Sequence, residues 1–245
     1  MLERFYADKD LYTRIRQKSV DLRRIVNTAL ERDVKKLSLQ QKQLKDTEKR
    51  EKYKVYGELL TTYGYQAKEG DKSLEAMNYY TNEMIKIPLD PMLDAKANAQ
   101  KYFDKYNKLK RTYEALTDLT AETRAEIEHL ESIATSLDIA LTEDDLVQIK
   151  EELIEYGYIR RKRTDKKAKS KSRPFHYRSS DGYDIYVGKN NYQNEELTFK
   201  FATGNDWWFH AKGMPGSHVI VKTEGKELPD RTFEEAARLA GYYSK

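Results

Sequence analysis

The sequence predicts an α+β protein: a long antiparallel helical hairpin with a small α/β knob at its tip, joined to a small α+β C-terminal module. Three observations lead there. Apolar residues recur every three or four positions over 106–141 and, more loosely, over the first fifty residues. The stretch between those two arms breaks the repeat with short β-prone runs and prolines. From Pro174 onward the pattern changes to brief alternating runs separated by Asp-Gly and Pro-Gly turns.

The heptad of the second arm runs Tyr106, Leu109, Tyr113, Leu116, Thr120, Thr123, Ile127, Leu130, Ala134, Leu137, Leu141. Alternating 3–4 spacing is the seam of a helix packed on another helix, about 54 Å long at about 1.5 Å per residue. The first arm carries Leu30, Val34, Leu37, Gln41 and Leu44, with Leu11, Ile15, Leu22 and Val26 ahead. Charge favours joining the arms. Residues 1–54 hold 16 basic and 9 acidic groups, whereas residues 112–157 hold 2 and 13. Opposite fields select partner and orientation more than they add stability. A dimeric coiled coil between two chains is the alternative to this intramolecular hairpin.

The knob is expected at about 55–97. Residues 51–63 read as helix, and "AMNYYT" and "MIKIPL" as two strands around Thr81-Asn82-Glu83. Pro88 and Pro91 stop the second run, and Asp94 can cap the returning helix. Both helical ends beside the knob are basic, which singles out Lys49, Arg50, Lys52, Lys54, Lys101 and Lys105 as candidate RNA contacts. A solvated helix surface is the plain alternative. Leu146, Ile149 and Leu153 then form a short helix that Gly157 ends, so the hairpin with its knob occupies 1–157.

"RRKRTDKKAKSKSR", residues 160–173, has nine basic residues, one acid and no apolar side chain larger than alanine. It cannot bury a face, so 158–173 reads as a basic linker. Its Arg160, Arg161, Lys162, Arg163, Lys166 and Lys167 suit a phosphate backbone.

In the module over 174–245, an Asp181-Gly182 turn joins two strands and Asn190 or Asn191 caps a helix. "DWWFHA" and "SHVIVK" flank a Pro215-Gly216 turn, and "PDRTFEEAARLAGYYSK" closes as a helix. That helix is capped by Asp230 or Thr232 and turns Phe233, Ala236, Ala237, Leu239 and Ala240 inward. A tight turn over 214–217 would put Trp207, Phe209, Ala211, His218 and Ile220 on one face. Trp208, His210, Lys212, Val219 and Val221 would take the other. The two histidines would then point apart, which argues against a shared metal site. A hydrogen-bonded structural role is the better reading of either one.

Composition narrows the function. Residues 158–245 carry 18 basic and 11 acidic groups, so the surplus positive charge lies with the module, where acidic partners are expected. The chain has no cysteine, which suits a reducing, cytoplasmic setting. No apolar run approaches about 18 residues, and the first residues have no export-signal core. No nucleophile–base pair, paired carboxylates or glycine-rich phosphate loop appears, so neither an enzyme nor a cofactor is expected. Flat rings, imidazole, lysine and exposed backbone on a basic module instead suit unpaired bases and phosphates.

At these residues the sequence resembles a known family. "GYDIYVGKNNYQNEELT" and "DWWFHAKGMPGSHVIVK" look like the RNA-binding C-terminal module of the NFACT proteins. These are ribosome quality-control factors of the RqcH and NEMF types, whose bacterial members were long called fibronectin-binding proteins. "YGELL", "IPLDP" and "NAQKYFDKYNK" resemble the family's middle coiled-coil region. The resemblance implies binding to stalled large ribosomal subunits near the stalk base, through rRNA, and to tRNA. It implies support of template-free C-terminal alanine tailing, with the peptide bonds made by the ribosome. No membrane and no small-molecule substrate is expected as a partner. In the module it implies contacts from Lys189, Asn190, Asn191, Asn194, His210, Lys212, Ser217 and His218, to which Trp208 and Gly216 are added from the reading of the residues.

The sequence also departs from the family pattern. Its N-terminal domain and helix-hairpin-helix region are not evident, and the module is expected to stop short of its final strands. Tyr192 and Gly213 stand where a basic and an acidic residue are expected. A fragment that binds without supporting tailing alone is therefore expected. Two other readings compete: a coiled-coil adhesion or scaffold protein, and, more weakly, a hydrolase using Asp206 and His210.

Overall fold

A computed structural model describes residues 11–161 and 171–244. The chain divides into two compact units, Met1–Val34 with Ala125–Lys245, and Lys35–Arg124. Helix α1 (Val20–Asp46), α2 (Arg50–Tyr63), α3 (Ala95–Ile139) and α4 (Glu143–Glu155) are joined to two small antiparallel sheets, giving the α+β class expected.

In the first unit, Leu22, Val26 and Ala29 of α1, with Ile15 ahead of it, pack on α3 and α4 against Leu130, Ile133, Leu137, Ile149 and Leu153. The two arms pair within one chain. Arg23 bonds Asp138 and the Leu137 carbonyl, and Lys18 meets Glu143, so opposite charges do face each other here. Helix α4 starts at a capping box in which the Thr142 hydroxyl and the Asp145 carboxylate exchange backbone N–H bonds. Gly157 ends the following turn at φ +79°.

The seam of the first arm lies one residue away from the expected register in its middle. Val34 is 52% exposed, and Gln41 also faces outward, whereas Asp33 and Gln40 are buried. An arm spaced from Leu22, Val26 and Ala29 reaches Asp33 next, and a polar residue there hid the true face from a hydrophobicity count. Leu141, the last expected seam position, falls past the end of α3 and is exposed.

In the second unit, β1 (Ser73–Asn78) and β2 (Glu83–Pro88) pair antiparallel around Asn82, whose φ is +55°. Their inner face, Leu74, Ala76 and Ile87, packs on Tyr56, Leu59 and Leu60 of α2 and on Ala99 and Tyr102 of α3. Gly57 lets the helices close, since a Cβ there would meet the Phe103 ring at 2.9 Å. Asp94 caps α3 as expected, by accepting the Ala97 N–H at 2.7 Å. Buried Asn98 ties the 90–94 loop down by donating to three backbone carbonyls.

The C-terminal module is a four-stranded antiparallel sheet in the order β3 (Phe175–Arg178), β4 (Asp184–Val187), β6 (Val219–Lys222), β5 (Trp207–Phe209). Helix α6 (Asp230–Tyr242) covers one face through Ala236, Ala240 and Leu239. Phe233 is 44% exposed and Ala237 is exposed, so the helix buries a narrower stripe than expected. The residue before it is Pro229, with no side-chain cap; Thr232 instead bonds Ser179 and Asp181.

Leu153→Ala is expected to destabilise the chain by about 2–5 kcal/mol through the cavity it leaves in the first core. Val34→Ala should stay within about 0.5 kcal/mol. Urea denaturation followed by circular dichroism checks both, and equal losses would contradict the register seen here.

Candidate nucleic-acid interface

The site is built by the β5–β6 hairpin. Trp207 pairs with Val221, Trp208 with Ile220 and Phe209 with Val219. Extending that register places His210 opposite His218, so Trp208, His210, His218 and Ile220 share one face and Trp207 and Phe209 the other. The tight-turn expectation that separated the histidines is therefore corrected. The loop is wider, and a shift of one residue moves every side chain to the opposite face.

Three rings consequently cluster on the face away from α6. The Trp208 centroid lies 5.8 Å from His210 and 5.2 Å from His218, and the two imidazoles are 5.1 Å apart. Trp208 is 48% exposed. His218 is half-buried, with Thr198 Oγ1 2.7 Å from its Nδ1. Burial, and then the neighbouring His210, push its pKa down to about 4, so the ring is neutral near pH 7. A neutral imidazole beside an exposed indole offers hydrogen bonds and a flat surface rather than charge. Two imidazoles alone make a poor metal site, and among the described residues no group of three or more metal-binding side chains occurs.

Sequence reasoning missed part of this face. After α5 (Asn191–Glu196) the chain makes one wide π-type turn, Leu197–Phe201, which leaves Phe199 79% and Phe201 38% exposed. Lys222 sits 4.8 Å over the Phe201 ring, Tyr186 meets that ring edge-on, and His176 stacks on Tyr186. The signal was legible in "TFKF": phenylalanines two apart cannot both lie on the buried stripe of an α-helix. Lys200 and Lys212 are exposed on the same two segments.

Several expected contact residues are engaged inside the protein. Lys189 is buried, its Nζ 3.2 Å from Asp145 and 4.6 Å over Phe175. Asn190 caps α5 and donates to Gln148 at 2.7 Å; Asn191 donates to Glu152 at 2.6 Å and Ser132 at 2.8 Å. Asn194 donates to the Gly216 carbonyl and accepts the His218 N–H at 2.9 Å, holding the loop that carries the imidazole. Gly216 is needed for close approach, because a Cβ would meet Ser244 Oγ at 1.8 Å. Ser217 is buried and donates its N–H to the Tyr243 carbonyl. Asp206, the acid of the hydrolase reading, is taken up by Thr203, Lys222 and Thr223.

Of the basic linker, Arg160 is exposed and Arg161 pairs with Glu151 of α4, while Lys162, Arg163, Lys166 and Lys167 lie outside the described residues. In the other unit, Arg50 lies 3.9 Å over Tyr113 and Lys101 is 2.8 Å from Asp90. Lys105 sits above Tyr53 and Tyr102, Lys52 above Tyr56, and Lys54 4.0 Å from Glu58; Lys49 is exposed.

Helical arms joined to a small sheet whose outer face is aromatic and lysine-edged define a class: a coiled-coil protein with a nucleic-acid-binding head. Residues 1–172 match the family profile described as the NFACT N-terminal and middle domains, and residues 173–245 the NFACT protein RNA binding domain. The chain belongs to the NFACT family. It is 44% identical to the Rqc2 homolog RqcH of Streptococcus suis and 38% identical to that of Bacillus subtilis, over its full length in both cases. It spans 44% and 43% of those proteins, less than half their length. A solved structure, the C-terminal part of the fibronectin/fibrinogen-binding protein from Streptococcus suis, matches 95% of this chain and 79% of that one. Its TM-score is 0.72 at 37% identity. Among the described residues no helix is long and apolar enough to cross a membrane.

Because the folded pKa of His218 lies below its ordinary 6.5, the unfolded chain takes up this proton first. The associated stability is complete above pH 6.5 and is lost as pH falls toward about 4. NMR titration should place the His218 midpoint near 4, and His218→Gln should flatten the loss of melting temperature across that window.

Proposed function

We propose that this chain is the ribosome- and tRNA-engaging part of a ribosome quality-control factor. It binds the large ribosomal subunit that carries stalled peptidyl-tRNA, and tRNA, in the cytoplasm, in support of the template-free alanine tailing that the whole factor promotes. It acts by binding, with the ribosome as catalyst of peptide-bond formation. The observation that carries this reading is the outer face of the sheet. There Trp208 and Phe201 present rings 48% and 38% exposed, with the exposed Phe199, Lys200 and Lys212 on the adjoining segments. Rings stack on unpaired bases of any sequence, and lysines hold the adjoining phosphates. Family membership and the RqcH relatives support the ribosomal setting. The basic segment 160–173 and the lysines of residues 49–54 and 101–105 add further phosphate contacts in this reading.

A second reading, an adhesion protein, is favoured by one observation: the solved streptococcal relative is described as fibronectin/fibrinogen-binding. Capture on immobilised fibronectin that survives loss of the exposed rings and basic residues would support it over the first.

Co-sedimentation with purified large subunits is expected to weaken steeply between about 50 and about 200 mM salt, because phosphate contacts release counterions. Salt-independent or absent binding contradicts the reading. Trp208→Ala should weaken binding to single-stranded RNA by about 1–3 kcal/mol in a fluorescence titration, the range for one stacked base. Trp207, whose ring packs edge-on against Phe233, should matter less.

A further inference from the structure

The geometry points to a different task for the "KNNY" stretch: Lys189, Asn190, Asn191 and Tyr192 are positioning residues that key the head onto α4 at one angle, and do not touch RNA. Four consecutive residues meet four residues of one helix. Lys189 pairs with Asp145, Asn190 with Gln148, Asn191 with Glu152 and Tyr192 with Glu155. Positions 145, 148, 152 and 155 are spaced three, four and three apart, which is a single face of an α-helix. Gln193 closes the row by donating to Gln148 at 2.9 Å and to Ser172 at 2.7 Å.

The core under α6 and the core of α1, α3 and α4 are separate clusters with no residue in common. Between those two cores runs the row of directional bonds, most of it among buried polar groups. Asp145, Glu152, Asn190 and Gln193 are each about 1% exposed. Burial would raise the Asp145 pKa, but Ser172, two backbone N–H groups and Lys189 together hold it below the ordinary range, so the carboxylate stays charged. A slipped or tilted seating would take the Lys189 ammonium and the Ser172 hydroxyl from that charge and leave it only its own two backbone N–H groups, which favours one orientation.

The row also connects to the RNA face. Asn194, on the same short helix α5, holds the Gly216 carbonyl and the His218 N–H. A tilt at 189–193 would thus move the Trp208–His218 cluster relative to α3 and α4. A rigid, folded RNA senses that angle; a short flexible strand does not. This inference rests on the RNA-binding reading above.

The test exchanges an amide for an acid across the junction. Asn191→Asp places a carboxylate against Glu152, and adding Glu152→Gln restores an amide–acid pair with the roles reversed. The chain has no cysteine, so spin labels at Lys150→Cys and Lys226→Cys, both exposed, report the head-to-α4 distance. Parent chain and double variant are expected to give one narrow distance distribution, and Asn191→Asp a broad one. Binding to purified large subunits should fall about tenfold or more in Asn191→Asp and recover in the double variant, as expected when geometry prevents simultaneous contacts. Binding to a short oligouridine should change by less than about twofold throughout. If Asn191→Asp does not fold by circular dichroism, Asn191→Ala removes the same donor without adding charge and is read in the same way. An unchanged distance distribution overturns the proposal. So does loss of oligouridine binding without rescue by Glu152→Gln, because Glu152 is buried and a direct RNA contact could not be repaired there. A parent chain that binds neither RNA fails the RNA reading instead, and the distance measurement alone then decides the keying role.

Discussion

The head of this protein is seated by matched polar groups, with Asp145 at their centre. Its carboxylate accepts the backbone N–H groups of Leu141 and Thr142, the Ser172 hydroxyl and the Lys189 ammonium. One side chain thus starts α4, fixes the exit of the basic segment and holds the entry to α5. A buried carboxylate survives only where its hydrogen-bonding capacity is filled, so these elements have to meet in one arrangement. The geometry of the aromatic face follows from that requirement through Asn194.

That face also shows how much chemistry a hairpin register decides. Both tryptophans of β5 are about half exposed, one on each side of the sheet. Trp207 leans on Phe209 and Phe233 at the rim of the α6 core, and Trp208 joins the two histidines on the outer surface. The same dipeptide therefore serves packing with one ring and presents the other. The imidazole beside it is kept neutral by burial, which suits stacking and hydrogen bonding where a charged ring would only add to the surrounding lysines.

The helical parts obey a different economy. The first-unit core is apolar, but along α1 and α3 the buried positions turn polar, with Asp33, Gln40, Thr120 and Thr123 among them. Threonine can satisfy itself by donating to the carbonyl four residues back, as Thr123 does to Leu119. Gln40 reaches the same Leu119 carbonyl at 3.4 Å. Such a seam gives up hydrophobic stabilisation and gains a specified register, the role that isolated polar seam residues play in coiled coils. In the second unit, cations rest over rings: Arg50 over Tyr113 and Lys105 over Tyr53 and Tyr102. Those side chains remain partly solvated, so tyrosine packing and positive potential coexist there.

The sequence by itself determined the class and the elements: two helical arms, a β-hairpin between them, a basic stretch, and a small sheet closed by a helix. Periodicity and turn chemistry are local properties, readable wherever apolar spacing or a Gly, Pro or Asn signal is strong. Family membership was legible in the same way, from "GKNNYQNEEL" and "DWWFHAKGMPG". Only the tertiary structure decided which residues face outward. Asp33 displaced Val34 from the seam, the wider loop brought His210 and His218 together, and Lys189, Asn190 and Asn191 turned toward α4. In each case the outcome depends on a partner far along the chain: a residue's type states what it can bond, and only the fold states what lies within reach.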